Sequence, residues 1–329
     1  MIASPARAAC LALALVAGAA GQDSPAATPA PAPLPKIELP SQSLGTFNRF
    51  GLHSVYMLFQ RRPVLVVSWR ADEAASNEVV PAMLALAQRE GDDLALLFVE
   101  RSRLPYADML RFVARKHWLC GSACWTCEVP PGTELQGTPS FVLTSVGHEV
   151  VLAGDPLAQA GALAAAADRA VEERRSGTAD MPAELRAALG ALHEGQFGQA
   201  LTLAAPLDVA QRQMIAEELD LQLQGANEML ACGYALETQT RLSATVKSLG
   251  NLPEDDPRLK SAKDALAVFD CGDWNKDLKA GPTLAKMQDQ LCTRGPSGSL
   301  AQLLRGLAKA NDGTALARRA LALAEIAQP

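Results

Sequence analysis

The run Val64-Leu65-Val66-Val67 is wholly apolar and mostly β-branched, with no polar residue alternating through it. A strand turns successive side chains to opposite faces, so such a run is buried on both. It therefore belongs inside a sheet with helices on its two sides, not in a sheet with one wet face. The neighbouring sequence supplies those elements. A short amphipathic helix is expected over Phe47–Gln60, a helix over Ala74–Arg89 with Pro81 inside it, and a second buried strand over Leu94–Val99. Pro105–His117 reads as a helix with proline at its start, where the missing amide is harmless. Ser140–Thr144 and Glu149–Leu152 read as strands about a tight turn at Val146-Gly147, and Asp155–Glu173 as a closing helix. Strand-helix-strand crossings imply parallel neighbours and the tight turn an antiparallel pair.

From residue 182 the pattern changes, and every segment has helical spacing. Helices are expected over Glu184–His193, Gln196–Ala205, Val209–Cys232, Leu236–Leu249, Pro257–Phe269, Trp274–Leu291, Ser299–Lys309 and Thr314–Ala327. The segments SLGNLPEDDPRLKSAKDALAVF and ANDGTALARRALALAEI share a stop, turn and helix, a weak internal repeat.

The N-terminus has a different character. Arg7 precedes an apolar run, Ala8–Ala20, too short to span a bilayer and ending in small residues, which is a secretory signal pattern. QDSPAATPAPAPLPKIELP follows as an extended Pro/Ala-rich tether. The expected organisation is a signal peptide over 1–21, a linker over 22–43, an α/β domain over 44–176 and an α-helical domain over 182–329. A periplasmic or secreted location follows, with no membrane-spanning segment once the signal is gone. The 30 basic and 36 acidic residues are well mixed, which argues against a nucleic-acid partner.

Removing the signal leaves six cysteines: Cys120, Cys124 and Cys127 in LCGSACWTC, and Cys232, Cys271 and Cys292 in the helical half. Each half holds an odd number, so full pairing in an oxidising compartment needs a bridge between the halves. Cys271 and Cys292 sit near opposite ends of one expected helix, about 30 Å apart, and cannot pair within a chain. Cys232–Cys292 is then one conceivable bridge, leaving Cys271 for a segment cysteine or for a second subunit in a homodimer.

The first half resembles the thioredoxin family. Trp69 stands where that family has an aromatic at the end of the central strand. Thr138-Pro139 resembles its cis-proline segment, Gly154 follows the last strand, and Pro81 matches the proline in the helix after the active site. The Ser76-to-Pro81 spacing fixes the register, so Glu73 and Ser76 occupy the two positions of the family's dithiol. The resemblance implies an α/β thioredoxin-like domain followed by an all-α helical-hairpin repeat domain, the latter similar to tetratricopeptide-type repeats through HEGQFGQAL and DGTALARRAL. It also implies substrate contacts at Thr138 and Pro139. A carboxylate cannot attack a disulfide, and a serine without an activating base cannot replace a thiol, so the family's usual reaction is excluded at Glu73 and Ser76.

The cysteine segment reads as an insertion that reaches the same edge of the sheet, and four chemistries fit its spacing. It is a structural disulfide; or a displaced redox pair, Cys124 and Cys127 with Cys120 resolving, near Arg115, Lys116 and His117; or a zinc knuckle, His117, Cys120, Cys124 and Cys127 in H-x2-C-x3-C-x2-C; or an iron–sulfur motif by its C-x3-C-x2-C spacing, although the barrel that motif belongs to has no counterpart here. His148 and His193 read as lone histidines on turns. Trp118 and Trp125, which flank the cysteines, read as caps on the core, or else as side chains that shield a disulfide or contact a substrate peptide, the role assigned to Trp125. The functional expectation is an exported thioredoxin-family protein in thiol-disulfide handling or partner-protein binding, with no cofactor unless zinc is held. The alternative is a non-catalytic scaffold whose cysteine segment is a staple or a knuckle.

Overall fold

The computed structural model describes residues 46–48, 51–53, 62–120, 123–130, 133 and 137–329. The expected signal peptide and linker lie outside these residues. The strands are β1 (Thr46–Asn48), β2 (Gly51–His53), β3 (Val64–Trp69), β4 (Ala95–Glu100), β5 (Cys124–Thr126), β6 (Ser140–Thr144) and β7 (Val150–Gly154), in the order β2-β1-β5-β4-β3-β6-β7. Strand β3 runs parallel to β4, with Val64 beside Ala95 and Trp69 beside Glu100, and β4 runs parallel to β5. Strand β6 is antiparallel to β3 and to β7. Helices α1 (Ala74–Glu90) and α2 (Tyr106–Arg115) follow β3 and β4, and α3 (Ala160–Ser176) follows β7. This is a thioredoxin-like mixed sheet, followed by a largely helical region, as the sequence implied.

All six residues of β3 are buried, the result expected of an unalternated apolar run. The tight turn is present, closed by Ser145 N–H donating to the Glu149 carbonyl at 2.8 Å. Its left-handed residue is His148.

Two expectations fail locally. The helix expected over Phe47–Gln60 is contradicted at its start, where β1 and β2 form an antiparallel pair and Phe47 lies beside Trp125 of β5; residues 54–60 lie outside the described ones. Thr46, Phe47 and Gly51 suit a strand better than a helix, and a partner strand far along the chain decides it. The cysteine segment is not wholly a loop either, since Cys124–Thr126 is a strand inside the sheet, buried between β4 and β1.

The later helices are α4 (Ala183–His193), α5 (Phe197–Ala204), α6 (Val209–Ala231), α7 (Ala235–Ser248), α8 (Pro257–Ala267), α9 (Asn275–Arg294), α10 (Gly298–Ala310) and α11 (Ala315–Ile326). Their ends carry local signals. Asp208, Asp256, Ser297 and Thr314 each accept a backbone N–H at a helix start, and Pro257 opens α8. No helix among the described residues is long and apolar enough to cross a membrane.

The described residues fall in one compact unit. One face of the sheet (Leu65, Val67, Trp69, Phe98, Trp125, Phe141) packs in the same apolar cluster as α1, α2 and α3, and that cluster continues into α9, α10 and α11. Helices α4 to α6 and α6 to α9 enclose two smaller clusters. The last three helices are thus part of the core of the thioredoxin-like region.

Candidate functional site

The parallel strands β3, β4 and β5 end on the same side of the sheet, and the turn from β3 into α1 lies there. Trp69 ends β3 fully buried, and the chain leaves the sheet through Arg70–Glu73. That turn is anchored from beneath. The Glu100 carboxylate, only 2% exposed, accepts the N–H groups of Ala71 (3.2 Å), Ser102 (2.8 Å) and Leu104 (3.4 Å). A buried carboxylate is tolerated because backbone donors satisfy it. Asn77 Nδ2 donates to the Ala71 carbonyl at 3.0 Å, and Arg70 and Asp72 form an exposed two-point ion pair.

Glu73 is the residue before α1, with its side chain bonded to Ser76 and not to the helix backbone. Its carboxylate accepts the Ser76 hydroxyl at 2.6 Å. The Ser76 and Thr138 hydroxyls, with help from Arg70, hold its carboxyl below the ordinary value. Glu73 is therefore anionic at neutral pH, fixed in direction and half exposed. Thr138 and Pro139, joined by a cis peptide bond, are half exposed beside it, and Ser76 is fully buried. The structure thus brings together Glu73, Ser76, Thr138 and Pro139. The assembly binds and orients well and reacts poorly. A carboxylate with a lowered pKa is a weak base, and a buried serine cannot reach a substrate.

The cysteines are arranged otherwise. Cys124 lies on one face of the sheet, with Val66, Leu97 and Val99; Trp125 and Cys127 lie on the other. Strand β5 ends at Thr126, and Cys127 lies in the bend beyond it. The dithiol spacing of Cys124 and Cys127 thus spreads the two residues over opposite faces of the sheet. His117 places its Nδ1 3.0 Å from the Cys292 carbonyl. Among the described residues no group of His, Cys, Asp and Glu could hold a metal. The Cys120 side chain lies outside the described residues.

Burial pushes the Cys124 thiol far up, and Cys127 is raised to about 11 by burial and then by Glu100 and Glu128. Cys127 is at the reactive end of the sheet, half exposed, near the Leu104 carbonyl (3.7 Å) and Met109 (3.9 Å). At pH 8 only about one part in a thousand of such a thiol is thiolate. Iodoacetamide should label Cys127 about 100-fold more slowly than exposed Cys271, with the rate climbing until the pH nears its pKa. Equal labelling rates at pH 8 would show the thiol to be activated.

Two more expectations are corrected. Trp125 is fully buried, stacked on Phe98 at 4.3 Å and edge-on to Trp69 at 5.6 Å, which places it in the core as one of its two readings had it and not at a substrate as the other did. Cys292, not Cys271, approaches the cysteine segment: its thiol donates to the Leu119 carbonyl at 3.4 Å, whereas Cys271 is exposed in the turn before α9. His193, read as lone, lies 3.3 Å from Asp93. No disulfide joins two of the described cysteines.

Two solved structures are similar over part of the chain. One, from Chlorobium tepidum, is described as a thiol:disulfide interchange protein, DsbE. It is 15% identical over 42% of this chain and 99% of its own, with a TM-score of 0.33. The other, from Neisseria meningitidis and solved in solution, is described as a thioredoxin. It is 18% identical over 42% of this chain and 92% of its own, with a TM-score of 0.34. No protein-family model matches the chain, and no curated protein matches it.

Proposed function

We propose that this chain is an exported, non-catalytic binding module, in which the rim around Glu73, Thr138 and Pro139 receives an extended segment of a partner protein. The helical region acts as the scaffold that holds the rim in place. The observation that carries the reading is the carboxylate of Glu73, fixed by the Ser76 hydroxyl at the helix start where a thioredoxin fold would carry its dithiol. A fixed anion on a half-exposed rim favours a partner segment with a lysine or arginine near its centre. Thiol exchange is the weaker reading, because the Cys124 and Cys127 thiols are protonated at neutral pH and stand on opposite faces.

The test pairs two assays on the full chain. In the first, reduction of a model disulfide by dithiothreitol should gain nothing from the wild-type protein, while Glu73→Cys/Ser76→Cys should accelerate it at least about tenfold, because a thiol at a helix start is activated. In the second, a panel of extended peptides differing only in one central residue should bind with arginine preferred over glutamate. Glu73→Gln should erase that preference, a change of about fivefold. Wild-type turnover abolished by Cys127→Ser would replace this reading with the thiol-exchange one.

A further inference from the structure

At the far end of the sheet from Glu73, a cavity of about 550 Å³ opens where the β6–β7 turn, the end of α3 and helices α4, α5 and α6 meet. That volume suits a small organic ligand, and seams between structural layers are where such sites are commonly found. One wall is apolar, built from Met181, Leu192, Phe197 and Met214. Two thioethers make it adaptable in shape.

The floor is a charged network. Asp93, 5% exposed, ends the short turn after α1. Its carboxylate pairs with Arg174 and with Arg175 at 2.7 Å, and His193 Nδ1 lies 3.3 Å away. Two guanidinium groups thereby share one buried carboxylate, which orients both toward Asp93. The network also ties α3 and α4 to the foot of β4, which holds the floor in place.

Four further carboxylates line the space: Asp92, Glu149, Glu173 and Glu218. Arg241 lies close enough to Asp92 and Glu218 to offset them in part. Glu149 and Glu173 are exposed at the mouth, and among the described residues no ion pair engages either. The five carboxylates of the space, Asp93 included, outnumber the four guanidinium groups around it, Arg62, Arg174, Arg175 and Arg241, so an ammonium group is favoured over an anion at the mouth.

We propose that this cavity binds a small amphipathic cation, with its hydrocarbon body on the Met181–Phe197 wall and its ammonium group between Glu149 and Glu173. The site is independent of the rim at Glu73, so either can fail without the other.

Titration calorimetry on the full chain tests it with three probes of equal chain length: octylammonium, octanoate and octanol, each below its aggregation concentration. Octylammonium should bind saturably at one per chain, at least about tenfold more tightly than octanoate. Glu149→Gln/Glu173→Gln should weaken octylammonium about fivefold and leave octanol unchanged. Leu192→Trp should fill the cavity and abolish all binding. Should that variant misfold by circular dichroism, the two exposed glutamates still decide the matter. Octanoate binding as tightly as octylammonium, no saturable binding of octylammonium, or an unchanged octylammonium affinity in the double-glutamine variant would each overturn the proposal.

Discussion

Trp125→Ala should destabilise the protein by about 3–5 kcal/mol, the range for emptying a buried aromatic site. Trp125 is fully buried and stacked between Phe98 and Trp118, with Trp69 against its edge. Among the described residues its indole N–H meets no acceptor, so what it contributes there is packing. Trp125→Phe should therefore cost far less than Trp125→Ala, since it keeps a ring on Phe98 and removes an unsatisfied donor. The loss in the alanine variant should reach the helical region as well, because the cluster around Trp125 continues into α9, α10 and α11. Urea unfolding followed by far-ultraviolet and near-ultraviolet circular dichroism should give coincident transitions, both shifted by the substitution. A loss below about 1 kcal/mol, together with lost peptide binding, would return Trp125 to the substrate-binding role that its position beside two cysteines first suggested.

How much of this was legible depends on whether the signal was local. Val64–Val67 announced a doubly buried strand by composition alone, and the sheet is built around it. The helices of the second half were legible from their spacing, with caps at Asp208, Asp256, Ser297 and Thr314 marking their starts. The placement of Glu73 beside Pro139 followed from the register of Ser76 against Pro81. Strand β5 was hidden, because three residues among turn formers become a strand only by pairing with Leu97, Phe98 and Val99. One signal was present and pointed the right way. In Ala123-Cys124-Trp125-Thr126-Cys127 a period of two separates the cysteines onto opposite faces, whereas motif spacing groups them. The network of Asp93, Arg174, Arg175 and His193 carried no signal at all. Its members are about 80 to 100 positions apart, and only the packing of α3 and α4 on the sheet brings them together.

Arg319→Ala is the substitution expected to loosen the middle helices from the core, at about 3–5 kcal/mol. Arg319 lies on α11, its side chain 4% exposed. It donates to the Gly233 carbonyl at 3.0 Å and to the Gln288 side chain at 2.8 Å, and its guanidinium lies 3.8 Å from the Tyr234 ring centre. One side chain thus joins α11 to the α6–α7 turn and to α9. Burial lowers its pKa, while Tyr234 and Glu237 oppose that, and the group remains a cation at any pH a protein tolerates. Truncation to alanine empties the space and strands the Gly233 carbonyl. Arg319→Lys should recover less than half of the loss, because a point charge neither stacks on Tyr234 nor reaches two acceptors at once. Arg319→Met should be milder than alanine, since it refills the volume and removes the buried charge. The turn allows an independent check. Gly233 is left-handed, with φ of 84°, and a β-carbon there would meet the Ala315 carbonyl oxygen at 2.7 Å. Gly233→Ala must therefore push α11 away from the turn and should weaken the same seam. Hydrogen exchange gives the readout: both variants should speed exchange in α6, α7 and α8 ahead of the sheet. If Arg319→Ala costs under about 1 kcal/mol and exchange stays uniform, the middle helices are held by their own apolar cluster and not by this guanidinium.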